Sequence, residues 1–128
     1  MHMLQRGDLI PHFEVTTLDG ERINYTTLWQ RNNLMLVTLS ADSDSIRNYV
    51  SALRATAPQF SVENTVCVIT REHLQDIPQP GCLVADKWGE IVHIRAASDA
   101  NELPSPEELL DWIKYVQMQC PECEGEVR

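Results

Sequence analysis

Two apolar runs separated by one amphipathic stretch constrain this chain more than any other feature. Leu34-Met35-Leu36-Val37-Thr38-Leu39-Ser40 and Thr65-Val66-Cys67-Val68-Ile69-Thr70 are nearly continuous in apolar and β-branched residues. Such runs fit strands covered on both faces, not strands with one wet side. Between them Ile46, Val50, Leu53 and Ala57 recur at spacings of three and four, the stripe of a helix that buries one face. Ser43 opens that segment and Pro58 predicts its end. Strand, helix, strand in this order implies a parallel pair joined by a right-handed crossover.

The flanking segments complete a mixed sheet. Phe13-Glu14-Val15-Thr16-Thr17 alternates apolar and polar, which suits a half-buried strand. Asp19-Gly20 is a hairpin signal, so Glu21 to Tyr25 is expected to return antiparallel. A short helical turn is expected over Thr27–Gln30, and a partly helical stretch over Arg71–Asp76. Cys82-Leu83-Val84-Ala85 and Glu90-Ile91-Val92-His93-Ile94-Arg95 flank the four-residue loop Asp86-Lys87-Trp88-Gly89 and read as a second hairpin. Ser105-Pro106-Glu107-Glu108 combines an N-cap hydroxyl, a proline at the first helical position and a glutamate three residues on. The helix it opens should bury Leu109, Trp112 or Ile113, and Val116, and from Cys120 onward no core pattern is visible. The expected architecture is a three-layer α/β domain over residues 1–119, with a mixed central sheet, an N-terminal β-hairpin and an acidic tail at 120–128. Trp29 and Trp112 read as packing residues, and Trp88, in a turn, as the exposed one.

Charge excludes whole classes of function. Ten basic and nineteen acidic residues leave a formal net charge of −9, which opposes phosphate backbones and anionic lipid. No nucleic-acid or membrane partner is expected, and no apolar run reaches the ~18 residues of a spanning helix. The first residues lack the charged stub and apolar stretch of a secretory signal, so the expectation is a cytoplasmic protein. Glycines 7, 20, 81, 89 and 125 form no phosphate-cradling loop, and His2, His12, His73 and His93 show no ligand spacing. No cofactor is therefore expected.

Two motifs together resemble a known family. Gly7-Asp8-x-x-Pro11-x-Phe13 followed by Leu18-Asp19-Gly20, and Pro80-Gly81-Cys82-Leu83-Val84-Ala85-Asp86-Lys87-Trp88-Gly89-Glu90-Ile91-Val92, are similar to the opening and the later signature of the peroxiredoxins and related redoxins, the alkyl hydroperoxide reductase and thiol-specific antioxidant group. The resemblance spans roughly residues 7 to 119 and implies a thioredoxin-like α/β/α sandwich. It implies a cis-proline at Pro80 beside the active site. It also implies a catalytic cysteine where the central strand turns into the first helix, because a helix N-terminus lowers a thiol pKa.

That cysteine is missing. The segment reads Ser40-Ala41-Asp42-Ser43-Asp44-Ser45-Ile46-Arg47, and no cysteine precedes Cys67. Asp44 falls nearest the family position, with Asp42, Ser43 and Ser45 as neighbours in the same register window. Helix capping accounts for Asp42, Ser43 and Asp44, while a polar site that repels anions and takes a cation or a hydroxyl-rich ligand stays open. Cys67 reads as a small buried hydrophobe. Cys82 reads either as strand filler or as a reactive thiol near Pro80. In the thioredoxin-like sheet that the resemblance implies, the central strand lies between them, so the two are expected ~9.5 Å apart, beyond the ~7 Å that a disulfide spans.

The remaining sulfurs form Cys120-Pro121-Glu122-Cys123, expected in a tight exposed turn. Such a pair closes a disulfide or chelates a metal, but a structural zinc needs four ligands and one knuckle supplies two. A preceding helix C-terminus, and Glu122, Glu124 and Glu126, should hold both thiols at or above the ~8.5 reference. Three readings are open. In the first, the chain is a redoxin-like domain without the peroxidatic cysteine, serving as a binding or accessory module with a protein partner or as a homodimer. In the second it is a thiol–disulfide oxidoreductase using Cys120 and Cys123, with or without Cys82. In the third, Cys120 and Cys123 build an intermolecular zinc or dimerisation site.

Overall fold

A computed structural model describes residues 3–40 and 42–127, with side chains described for all of these except residue 100 and residues 119–127. The two apolar runs are the parallel pair β3 (Asn33–Thr38) and β4 (Thr65–Thr70), after the N-terminal hairpin of β1 (Glu14–Thr16) and β2 (Arg22–Asn24). Helix α1 (Asp44–Val62) makes the crossover between β3 and β4. Next come β5 (Gly81–Ala85), β6 (Ile91–Ala96) and α2 (Pro106–Val127). The four-stranded sheet has the order β4-β3-β5-β6, with β5 antiparallel to both β3 and β6.

Every residue of β3 is buried, as its uninterrupted apolar run requires. The period of two along a strand sends alternate side chains to opposite faces. Met35, Val37 and Leu39 meet Ile46, Val50, Leu53 and Phe60 of α1 and Leu109, Ile113 and Val116 of α2. Leu34 and Leu36 meet Val15, Tyr25, Val68, Leu83 and Ile91 on the other face. There the N-terminal segment, the hairpin and the residues around Ile77 form the covering layer. The choice left between Trp112 and Ile113 resolves to Ile113, which is fully buried, with Trp112 half-buried against the same core.

Four local expectations are corrected. Helix α1 runs through Pro58 to Val62. Pro58 lies on the exposed side, where water can take the carbonyl of Arg54 that loses its N–H partner, and Phe60 extends the buried stripe beyond it. The single 3-10 turn near the hairpin covers Tyr25–Thr27, two residues early, because buried Tyr25 anchors it and Asn24 Oδ1 accepts the Thr26 N–H at 3.0 Å. Residues 71–76 form no helix. Asp76 there has φ of 66°, which no helix admits, and buried Ile77 pulls the segment onto the sheet. Finally, α2 continues to Val127, so Cys120 and Cys123 lie on helical backbone rather than in a turn. Extending an existing helix needs no second nucleation, so residues beyond Val116 need no buried stripe of their own. Among the described residues no helix is long and apolar enough to cross a membrane.

Candidate functional site

The carboxyl end of β3 is where the chain leaves the sheet and enters α1. Ser43 makes that turn in extended backbone, φ −151° and ψ 170°, and its Oγ accepts the Ile46 N–H at 3.2 Å. Facing it is the loop that leads into β5. Thr38 Oγ1 donates to the Pro78 carbonyl at 2.5 Å. The Gln79 side-chain amide donates to the carbonyls of Leu39 at 2.8 Å and Arg71 at 2.7 Å. The Gln79–Pro80 peptide bond is cis. Gly81 follows because nothing larger fits: a Cβ there would stand 2.7 Å from the Arg95 carbonyl oxygen.

Between these two ends opens a cleft of about 220 Å³. Ser40, Ser43 and Ser45 line it from one side, Pro80 from another, and Ser98, Asp99 and Asn101 close it. Thus Ser43, Ser45 and Pro80 line one cleft. Asp42 and Asp44 do not line the cleft. Their carboxylates turn to arginines: Asp42 lies 3.0 Å from Arg47 and 3.6 Å from Arg71, and Asp44 also binds Arg47. These guanidinium groups offset the negative charge that the sequence alone assigns to this helix start. Ser98, Asp99 and Asn101 were not anticipated, although their polar cluster, just before an N-cap signal, is visible in the chain.

The chemistry open to this cleft is limited by what lines it. A serine hydroxyl becomes a nucleophile only beside a general base. Asp99 is the single ionisable residue lining the cleft among those described, and its side chain already accepts the Asn101 N–H at 2.8 Å. What remains is a set of hydroxyl and amide groups and one carboxylate, beside Ile46, able to hydrogen-bond a polar ligand.

The described cysteine thiols lie elsewhere. Cys82 is 1% exposed and sits among the helix-side core residues of the sheet, two positions past Pro80. Burial pushes its thiol up to about 12, with Glu108 adding to the rise and Arg95 opposing it. Burial likewise pushes Cys67 up to about 12. Thiolates are the reactive form, so the raised values leave both as weak nucleophiles at neutral pH. Both are free, and β3 separates their strands, with Met35 opposite Cys67 and Val37 opposite Cys82. Tyr49 closes this region by donating to the Pro104 carbonyl at 2.6 Å, and burial raises its pKa as well. The side chains of Cys120 and Cys123 lie outside the described residues, as do the expectations placed on their thiols.

Solved structures of known proteins share this arrangement of strands and helices. The yeast mitochondrial 1-Cys peroxiredoxin superposes with a TM-score of 0.75 over 94% of this chain and 79% of its own, at 17% identity. The reduced 2-Cys peroxiredoxin of Plasmodium vivax gives a TM-score of 0.70 over 88% of this chain and 82% of its own, at 14% identity. The fold is thioredoxin-like. A thiol:disulfide interchange protein of the thioredoxin family from Chlorobium tepidum gives a TM-score of 0.65 over 88% of this chain and 98% of its own, at 10% identity. No family model matches the chain, and no curated protein matches it by sequence. At these identities the thioredoxin-like likeness is one of fold, the fold that the Gly7–Phe13 and Pro80–Val92 motifs led us to expect.

Proposed function

We propose that this chain is a relative of the peroxiredoxins that no longer reduces peroxide at the head of its first helix and serves as a binding or accessory module in a redox setting, in the cytoplasm. One observation carries the reading. Where the resemblance requires a thiolate, the cleft beside Pro80 is lined by Ser40, Ser43 and Ser45, and the nearest described thiol, Cys82, is buried. A helix N-terminus can stabilise a thiolate only where a sulfur is present. The polar lining, with Asp99 as its one carboxylate, supports retention of the old pocket for a hydroxyl-rich ligand or a cation, with Pro80 as its wall.

The test is peroxide consumption by the purified full chain with an excess of a thiol reductant. The expected rate is no greater than that of an equal concentration of simple thiols. Catalytic turnover would overturn the reading. If turnover appears and is lost in a Cys120→Ser, Cys123→Ser double variant, the oxidoreductase built on those two cysteines takes its place.

A further inference from the structure

The outer face of α2 carries Glu108, Asp111, Trp112 and Tyr115 at positions i, i+3, i+4 and i+7, which a helix brings onto one side. With Arg6 from the N-terminal segment they line an open cleft of about 380 Å³. None of these residues lines the Ser43–Pro80 cleft, so the chemistry of this face is independent of the function proposed for that site.

The aromatic part is held in place from below. Trp112 stacks on His93 of β6, ring centres 4.6 Å apart and planes 20° from parallel. Tyr115 meets Trp112 edge-on, at 6.1 Å and 90°. The Arg6 guanidinium lies over the Trp112 ring, 5.8 Å from its centre. A tryptophan face attracts cations through its quadrupole, and neighbouring carboxylates strengthen the preference. Here they are Glu108, shared with Arg95 at 3.8 Å, and Asp111, which is exposed. The sequence from Asp99 to Arg128 has the same sign, with eight acids and two bases.

We propose that this face docks an arginine-bearing segment of a partner protein, and that Arg6 is its placeholder within the chain. The guanidinium of the partner takes the position over Trp112, Arg6 moves aside, and Glu108 and Asp111 receive the incoming charge. Arginine suits the site better than lysine because its planar cation stacks on rings and pairs with carboxylates through several donors.

The experiment titrates the full chain with an alternating arginine–glycine peptide, followed by calorimetry and by the indole N–H resonance of Trp112. Lysine–glycine and glutamate–glycine peptides serve as comparisons. The arginine peptide should bind and shift the Trp112 resonance, the lysine peptide should bind more weakly, and the glutamate peptide should not bind. Trp112→Leu should weaken binding about tenfold. Asp111→Asn, which leaves the core untouched, should weaken it in the same direction and decides the matter if Trp112→Leu does not fold. Arg6→Ala should tighten binding about threefold by removing the competitor, whereas Arg22→Ala, the same charge change elsewhere, should not. Absence of binding, equal gains from Arg6→Ala and Arg22→Ala, or a self-association that buries Trp112 would each overturn the proposal.

Discussion

Gly81 shows how a single residue holds the candidate site together. It begins β5 directly after Pro80, and the Arg95 carbonyl of β6 passes so close that a Cβ would stand at 2.7 Å. Its φ is ordinary, so the demand is for space and not for a left-handed backbone. Gly81→Ala should cost about 1–3 kcal/mol, the usual range for forcing extra volume into a packed site. Urea unfolding of the variant and the parent at neutral pH measures it. A loss of a few tenths would mean that β6 yields freely at Arg95. Cys82, next in the chain, presents the opposite situation, since its side chain fills the core and burial removes its chemistry.

At the scale of elements, α1 owes its start to Ser43 and its length to its buried face. The Ser43 hydroxyl satisfies the Ile46 N–H, one of the donors that a helix leaves without an internal partner. Ser43→Ala should therefore destabilise the protein by about 1 kcal/mol, whereas Ser43→Gly should cost only a few tenths. Thermal unfolding followed by circular dichroism distinguishes the two. Equal losses would mean that the hydroxyl serves the cleft and not the cap. Pro58 shows that a breaker is overruled when tertiary burial continues past it, for Phe60 is 1% exposed and lies in the helix-side core.

The whole molecule carries a pH dependence set by its buried acids. In the unfolded chain a cysteine ionises near ~8.5. In the folded protein burial holds Cys82 and Cys67 protonated up to about 12, and Tyr25 is raised to about 12 in the same way, with Asp86 adding to it. Above the unfolded value the folded state holds more protons than the unfolded one, so stability is fully present below it and is lost as pH rises toward the folded value. Cys82 alone should remove up to about 1.4 kcal/mol per pH unit in that window. Urea unfolding across alkaline pH should show this decline. Cys82→Ala, though less stable at neutral pH, should show a shallower one. An unchanged slope in the variant would mean that the thiol ionises within the folded protein.

Most of the architecture was legible in the chain because it depends on local periodicity. The unbroken runs of β3 and β4, the stripe of α1, the Asp19-Gly20 turn, and the Ser105-Pro106 helix start each carry their signal within a few residues. The absence of any cysteine before Cys67 is likewise a property of the sequence, and it alone bounds the chemistry at the head of α1. Only the tertiary structure decided what depends on distant partners. Helix α1 passes Pro58 because the sheet buries Phe60. Asp42 and Asp44 leave the cleft because Arg47 and Arg71 compete for their charge. Ser98, Asp99 and Asn101 enter it because the chain after β6 returns to the start of α1, far away in sequence. Local pattern encodes which face of an element is apolar, whereas the side chains that meet across a cleft depend on how whole elements pack.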